Sequence, residues 1–129
     1  MVRREVYEKI GGFDPRFFAY YEDVDWCKRM GDAGYTLYYV PTAQVIHQWK
    51  GTSRTVSQLA YRAGQNSLRY YFRKHHGRLA QSAILFILAA KELSYIMISL
   101  VRGRSADRLF HQRMLRELFS PWSLTEVSS

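Results

Sequence analysis

Three carboxylates, Glu22, Asp23 and Asp25, stand just behind a glycine pair and a run of aromatics in the stretch from Gly11 to Trp26. Acids beside so much apolar surface cost free energy unless they are paired, hydrogen-bonded or bound to a metal. A carboxylate at a helix start, projecting from an aromatic pocket, suits a general base. Apolar surroundings and a neighbouring acid both raise its pKa towards the working pH. Beyond a turn at Gly34 and two short apolar runs stands His47. A histidine after a strand offers a neutral imidazole nitrogen to a divalent metal. The same residues also fit plainer roles: Glu22 and Asp23 at a helix start, Asp25 paired with Arg29 four positions on, and His47 packed like any other histidine.

The elements that must position these groups follow from turn and periodicity signals. Arg4 to Ile10 reads as a short helix ended by Gly11-Gly12. Phe13 to Tyr21 is an aromatic loop containing Pro15. Glu22 to Ala33 reads as a second helix, with acids in its first turn, Lys28 and Arg29 further along, and Gly34 as its stop. Tyr35 to Val40 and Ala43 to His47 read as two short strands or extended segments around Pro41-Thr42. Trp49 to Thr55 is a loop. Val56–His76, Leu79–Val101 and Asp107–Phe119 read as three helices broken near Gly77 and Gly103. Pro121 to Ser129 reads as a frayed tail.

The chain has 129 residues, about one domain, and a net charge of +8. The charge is uneven. Residues 1–53 balance, whereas the segment 54–118 sets its many basic residues against only Glu92, Asp107 and Glu117. Such a field suits a membrane surface, a nucleic acid or a phosphorylated ligand. The single cysteine, Cys27, excludes an intrachain disulfide and a Cys-based zinc site, and fits a reducing compartment. Met1-Val2-Arg3-Arg4 leads straight into a polar segment, unlike a signal peptide. Leu79–Val101 is long enough to span a bilayer. Lys91 and Glu92 in its middle would each cost roughly 2.5–3.5 kcal/mol at the bilayer centre. The expectation is an interfacial or core-packed helix, with Arg78, Arg102 and Arg104 favouring anionic headgroups.

The run Gly-Gly-Phe-Asp-x-x-Phe-Phe-x-Tyr-x-Glu-Asp-x-Asp-x-Cys-x-Arg, then Gly34-Tyr35, Tyr39-Val40-Pro41, Ala43, Val45, His47 and Gly51-x-Ser53, closely resembles the C-terminal half of the catalytic domain of family 2 glycosyltransferases. The nearest branch is the rhamnosyltransferase and galactofuranosyltransferase-like one. The resemblance covers residues 1–54. It continues more loosely through Arg62, Asn66, Tyr70, Lys74, His75 and Gly77.

It implies an inverting, metal-dependent transferase of GT-A fold. The fold class would be an α/β fragment followed by an α-helical tail, helix-rich overall. Residues 1–54 would form the catalytic part, 55–120 a basic helical tail with membrane contact, and 121–129 a flexible tail. Asp23 would be the catalytic base, with Glu22 and Asp25 helping to hold the acceptor and the helix start. Gly11, Gly12, Phe13, Asp14, Phe18, Tyr20 and Trp26 would line the substrate side, Trp26 standing where leucine is commoner. His47 would ligate a divalent cation, manganese or magnesium, on the diphosphate. The implied partners are a nucleotide-sugar donor and a glycan or lipid-linked acceptor, at the cytoplasmic inner face of the plasma membrane.

The family's other half, a nucleotide-binding parallel sheet with an Asp-x-Asp metal pair, has no counterpart here. The chain therefore reads as a C-terminal fragment or one piece of a split enzyme, inactive alone, with the remaining metal ligands elsewhere. Two alternatives compete. One is a non-catalytic membrane-docking module using Arg62, Arg69, Arg73, Lys74 and Arg78 on anionic lipid. The other is a nucleic-acid binder built on Tyr70-Tyr71-Phe72-Arg73-Lys74, which no nucleic-acid motif accompanies; no nucleic acid is expected as a partner.

Overall fold

Helix ends in this chain are set by local turn chemistry, and the helices appear where that chemistry allows. The computed structural model describes residues 1–46 and 54–120, with side chains from residue 58 onward in the second stretch. Helix α1 spans Arg4–Ile10 and ends with the Gly11 N–H donating to the Tyr7 carbonyl. Helix α2 spans Glu22–Asp32. It closes in a Schellman arrangement: the Tyr35 N–H reaches the Met30 carbonyl at 3.0 Å and the Gly34 N–H reaches the Gly31 carbonyl at 2.9 Å. Both helices match the sequence-based expectation, α2 ending one residue early.

No strand occurs among the described residues. From Tyr35 to Ile46 the chain carries one turn, closed by the Ala43 N–H on the Val40 carbonyl at 3.1 Å. Tyr38, Tyr39, Val45 and Ile46 are largely exposed. The strand-forming composition is there, but a strand needs a neighbour to complete its ladder, and the described residues offer none. His47, expected at the end of the second segment, lies outside the described residues.

Helix α3, Arg54–Val101, is a 48-residue run interrupted at Gly77, whose φ of 81° and ψ of −173° are not helical. That combination is open almost only to glycine. The break is a reversal. Tyr61 and Glu92 are joined by a 2.6 Å hydrogen bond, yet an unbroken helix would hold residues this far apart in sequence at ~46 Å. The first arm, residues 54–76, therefore folds back on the second, residues 78–101. A second Schellman turn follows, with the Arg104 N–H on the Ser99 carbonyl at 2.9 Å and the Gly103 N–H on the Leu100 carbonyl at 3.2 Å. Helix α4, Ser105–Glu117, then packs against α3. The expected breaks near Gly77 and Gly103 are both present.

The buried apolar groups of this helical part are Ala63, Leu88, Met114 and Leu118. Glu92 lies fully buried among them. The carboxylate expected to interrupt an apolar helix is satisfied from two elements, the first arm of α3 and α4. One oxygen accepts from the Tyr61 hydroxyl at 2.6 Å and the Gln65 amide at 2.5 Å. The other pairs with His111 Nδ1 of α4 at 2.7 Å. Burial alone would push Glu92 up, but the hydrogen bonds from Tyr61, His111 and Gln65 outweigh it and hold the carboxyl below its usual range. His111 also stacks on Tyr95, with ring centroids 4.7 Å apart. Lys91 turns the same way, over the Tyr61 ring at 4.6 Å.

Glu92→Ala should strip three buried donors of their acceptor and destabilise the fold by about 2–4 kcal/mol. In urea denaturation the midpoint should fall with the slope unchanged. A shift worth less than about 0.5 kcal/mol, the range of ordinary surface changes, would contradict the role assigned to Glu92.

Candidate functional site

The loop ahead of α2 is built by a turn that its residues favour. In Asp14-Pro15-Arg16-Phe17 the Phe17 N–H closes on the Asp14 carbonyl at 3.0 Å. Aspartate at the first position and proline at the second suit such a turn. Asp14 Oδ1 also accepts the Arg16 N–H, and the Arg16 side chain grips both carboxylate oxygens at 3.1 Å. Asp14 Oδ2 receives the Tyr70 hydroxyl at 3.0 Å and Lys74 Nζ at 2.8 Å from α3. Burial pushes Asp14 up, but Arg16, Lys74 and Tyr70 hold it far below the usual carboxylate range. Tyr70, desolvated and facing that carboxylate, is pushed up to about 12.

Asp25 is the centre of a second set of bonds and is fully buried. Its oxygens meet Arg29 Nε at 2.8 Å, Lys74 Nζ at 2.6 Å and His75 Nε2 at 2.7 Å. Burial raises its pKa, but the hydrogen bonds from Lys74, His75 and Arg29 outweigh it, so Asp25 is held below its usual range. The Asp25–Arg29 pair expected from their spacing is thus present. Arg29 reaches on to the Ile10 carbonyl at 2.7 Å and the Gly12 carbonyl at 2.6 Å. Trp26 Nε1 donates to the Gly11 carbonyl at 2.8 Å. Trp26 also packs edge-on against Phe13 at 4.9 Å. One face of α2 therefore holds the glycine pair by its carbonyls. A Cβ on Gly12 would come within 3.2 Å of the Tyr7 ring, so the close approach at that glycine is to Tyr7.

Glu22 and Asp23 stand at the open start of α2. The two residues before them, Tyr20 and Tyr21, have φ of 66° and 67°. Two successive non-glycine residues in the left-handed region store strain, of order 1–3 kcal/mol each. The strain is held by contacts with α3: Tyr21 lies 5.6 Å from the Tyr71 ring, and the Ser67 hydroxyl donates to the Ala19 carbonyl at 2.8 Å. Asp23 is exposed, with Oδ1 accepting the Val24 N–H at 2.8 Å. Glu22 Oε2 is buried without a hydrogen-bond partner. Phe13, Phe18 and Tyr20 are each about half exposed. Of these, Phe13 packs on Trp26.

The acidic trio thus divides. Asp23 faces solvent and can meet a substrate hydroxyl. Asp25 faces inward and braces the helix. Gly11, Gly12, Phe13 and Trp26 are brought together, while Asp14 joins Asp25 through Lys74. His47 lies outside the described residues, and those residues contain no group of three or more His, Cys, Asp or Glu side chains able to hold a metal. The orphaned Glu22 oxygen is a single donor. The described residues therefore do not fit a divalent cation by themselves.

Lys74 and His75 are the site residues for which sequence reasoning found no role here, because their partners lie 49 to 60 positions away in sequence. Of the five basic residues assigned to lipid in the docking alternative, Lys74 is engaged with Asp14 and Asp25 and Arg62 with Glu117 at 2.8 Å. Arg69 is desolvated, which lowers its pKa. Arg73 and Arg78 remain exposed.

Over 72 residues, 56% of the chain, the sequence is 40% identical to the N-acetylglucosaminyl-diphospho-decaprenol L-rhamnosyltransferase of Mycobacterium tuberculosis (strain ATCC 25618 / H37Rv), covering 23% of that protein. It is 36% identical over 75 residues to rhamnosyltransferase WbbL of Escherichia coli (strain K12), covering 57% of the chain and 28% of that protein. It is 25% identical over 99 residues to dTDP-rhamnosyl transferase RfbF of Shigella flexneri, covering 76% of the chain and 33% of that protein. The chain thus spans about a quarter to a third of the length of these curated relatives. All three are rhamnosyltransferases, consistent with a glycosyltransferase family. No family model matches the sequence, and no solved structure matches the chain.

Lys74→Met should leave Asp14 and Asp25 short of a cation and cost about 2–4 kcal/mol in urea unfolding. Asp14, Asp25 and Glu92 all have lowered pKa values in the folded chain. Their contribution is therefore complete above the unfolded carboxylate pKa of about 4 and is lost as pH falls through the lower folded values. Stability measured at acid pH should fall steeply below about pH 4, and Lys74→Met should flatten that fall. An acid limb of equal slope in the parent and the variant would contradict the assignment.

Proposed function

We propose that this segment is the acceptor-activating part of an inverting glycosyltransferase of the family 2, GT-A type, transferring rhamnose from a nucleotide-linked donor. The observation that carries the proposal is the position of Asp23, exposed at the start of α2, the helix whose Trp26 and Arg29 hold the Gly11 and Gly12 carbonyls. The similarity to rhamnosyltransferases over 56–76% of the chain supports the reading.

In this reading the Asp23 carboxylate takes the proton from an acceptor hydroxyl. The hydroxyl oxygen forms its bond to the anomeric carbon as the carbon–oxygen bond to the nucleoside diphosphate breaks, and the diphosphate leaves with that electron pair. A base on one face and the leaving group on the other is the geometry that a single displacement needs. Asp25, Lys74 and His75 fix the helix start, so that the base is aimed without reorganising. Phe13, Phe18 and Tyr20 offer apolar faces on which a sugar ring can stack.

The divalent cation implied by the resemblance falls to His47 and to groups outside this segment, as does the nucleotide-binding part. The acceptor is a lipid-linked glycan, in keeping with the diphospho-decaprenol in the name of the mycobacterial relative.

The test is transfer of labelled rhamnose from dTDP-rhamnose to N-acetylglucosaminyl-diphospho-decaprenol by the polypeptide that carries this segment. Asp23→Asn should lower turnover by about 10²–10⁴-fold, the scale of a lost general base. Its stability should stay within about 0.5 kcal/mol, since the side chain is exposed. Turnover within threefold or so of the parent would remove Asp23 from the reaction. Assayed alone, the 129-residue chain is expected to be inactive, and robust transfer by it would overturn the need for a nucleotide-binding part elsewhere.

A further inference from the structure

The second arm of α3 presents an uncharged face that no other described residue covers. Leu79, Phe86, Leu93, Met97 and Val101, with Ala83 and Ala90 between them, recur at three- and four-residue intervals and are all exposed. Their exposures reach 89% at Leu79 and 77% at Phe86. The spacing puts them on one side of the helix, opposite the buried Leu88, Glu92 and Ser99. The arm contains an 18-residue window of mean hydropathy 2.0, of which only 17% is buried. Its two internal charges, Lys91 and Glu92, are turned towards Tyr61 and α4. The free face runs for ~33 Å. Exposed arginines stand at both ends, Arg78 at one and Arg102 and Arg104 at the other.

We propose that this face docks the chain on an anionic bilayer surface, with the arm lying in the plane of the interface. Three features select this occupant. A helix with one apolar side and basic ends matches the boundary between acyl chains and acidic headgroups. Spanning is opposed by the other side of the same arm. Glu92 is tied there to Tyr61, Gln65 and His111, and insertion would carry these polar groups and the Arg62–Glu117 pair towards hydrocarbon. A second copy is opposed by charge. Paired along this face, parallel or antiparallel, two arms would set arginine against arginine at both ends. Between residues 78 and 104 the sole carboxylate is the buried Glu92. The docking does not depend on sugar transfer, so Asp23→Asn should bind membranes as the parent does.

The test is sedimentation of the 129-residue chain with vesicles of phosphatidylcholine alone or of an equimolar mixture with phosphatidylglycerol. Binding should be roughly 10- to 100-fold stronger with the acidic lipid and should weaken with added salt. Phe86→Ser combined with Leu93→Ser should abolish it while leaving the helical circular dichroism intact, and Arg78→Glu combined with Arg102→Glu should weaken it. Fluorescent labels on Leu79→Cys, Ala90→Cys or Val101→Cys, each in a Cys27→Ser background, should all report one shallow depth. A deeper label at position 90 than at 79 and 101 would mean a spanning helix and would overturn the proposal. So would equal binding to neutral vesicles, no binding, or a dimer in sedimentation velocity that Phe86→Ser and Leu93→Ser dissolve.

Discussion

One ammonium group, Lys74 Nζ, sits 2.8 Å from Asp14 and 2.6 Å from Asp25. It joins a loop, α2 and α3 at a single point. Two carboxylates this enclosed would repel each other and lose their hydration, so the arrangement holds only with cations between and around them. Arg29 and His75 complete the set on Asp25, and Arg16 and Tyr70 complete it on Asp14. Arg29 then extends the same network to the Ile10 and Gly12 carbonyls. The direction of α2, the course of the glycine pair and the exposure of Asp23 all follow from this one cluster.

Glu92 repeats the principle at the other end of α3's first arm. Tyr61 and Gln65 serve Glu92, while Ser67, Tyr70, Lys74 and His75 serve the loop and α2. The first arm is thus a spine with polar partners along its length. Satisfying Glu92 inward is also what leaves the second arm's outer face free of charge. Burying a charge on one side of a helix and exposing an apolar stripe on the other are two results of a single orientation.

Features that depend on near neighbours were legible in the residues. The helix over Arg4–Ile10, the stops at Gly34 and Gly103 and the break at Gly77 arise from backbone freedom at single positions. The Asp25–Arg29 pair arises from helical spacing. That spacing also carries a signal against treating the acids as one cluster. Residues two apart on a helix point about 200° apart, so Asp23 and Asp25 could not both face a substrate. The strand composition of residues 35–46 was legible too, but a strand's hydrogen bonds are non-local, and no partner lies among the described residues.

By itself the sequence determined the helices to within two residues at each end, the uneven charge, the acidic motif and its likeness to sugar transferases, because each is written in residues close together along the chain. The tertiary structure alone decided that Lys74 bridges Asp14 and Asp25, that His75 and His111 each meet a buried carboxylate, and that Glu92 turns inward. These pairings link residues 19 to 60 positions apart. No local rule specifies which of many cations a buried carboxylate will meet. That choice falls to the packing of helices folded back at Gly77, and it sends Asp23 outward to solvent while Asp25 becomes part of the frame.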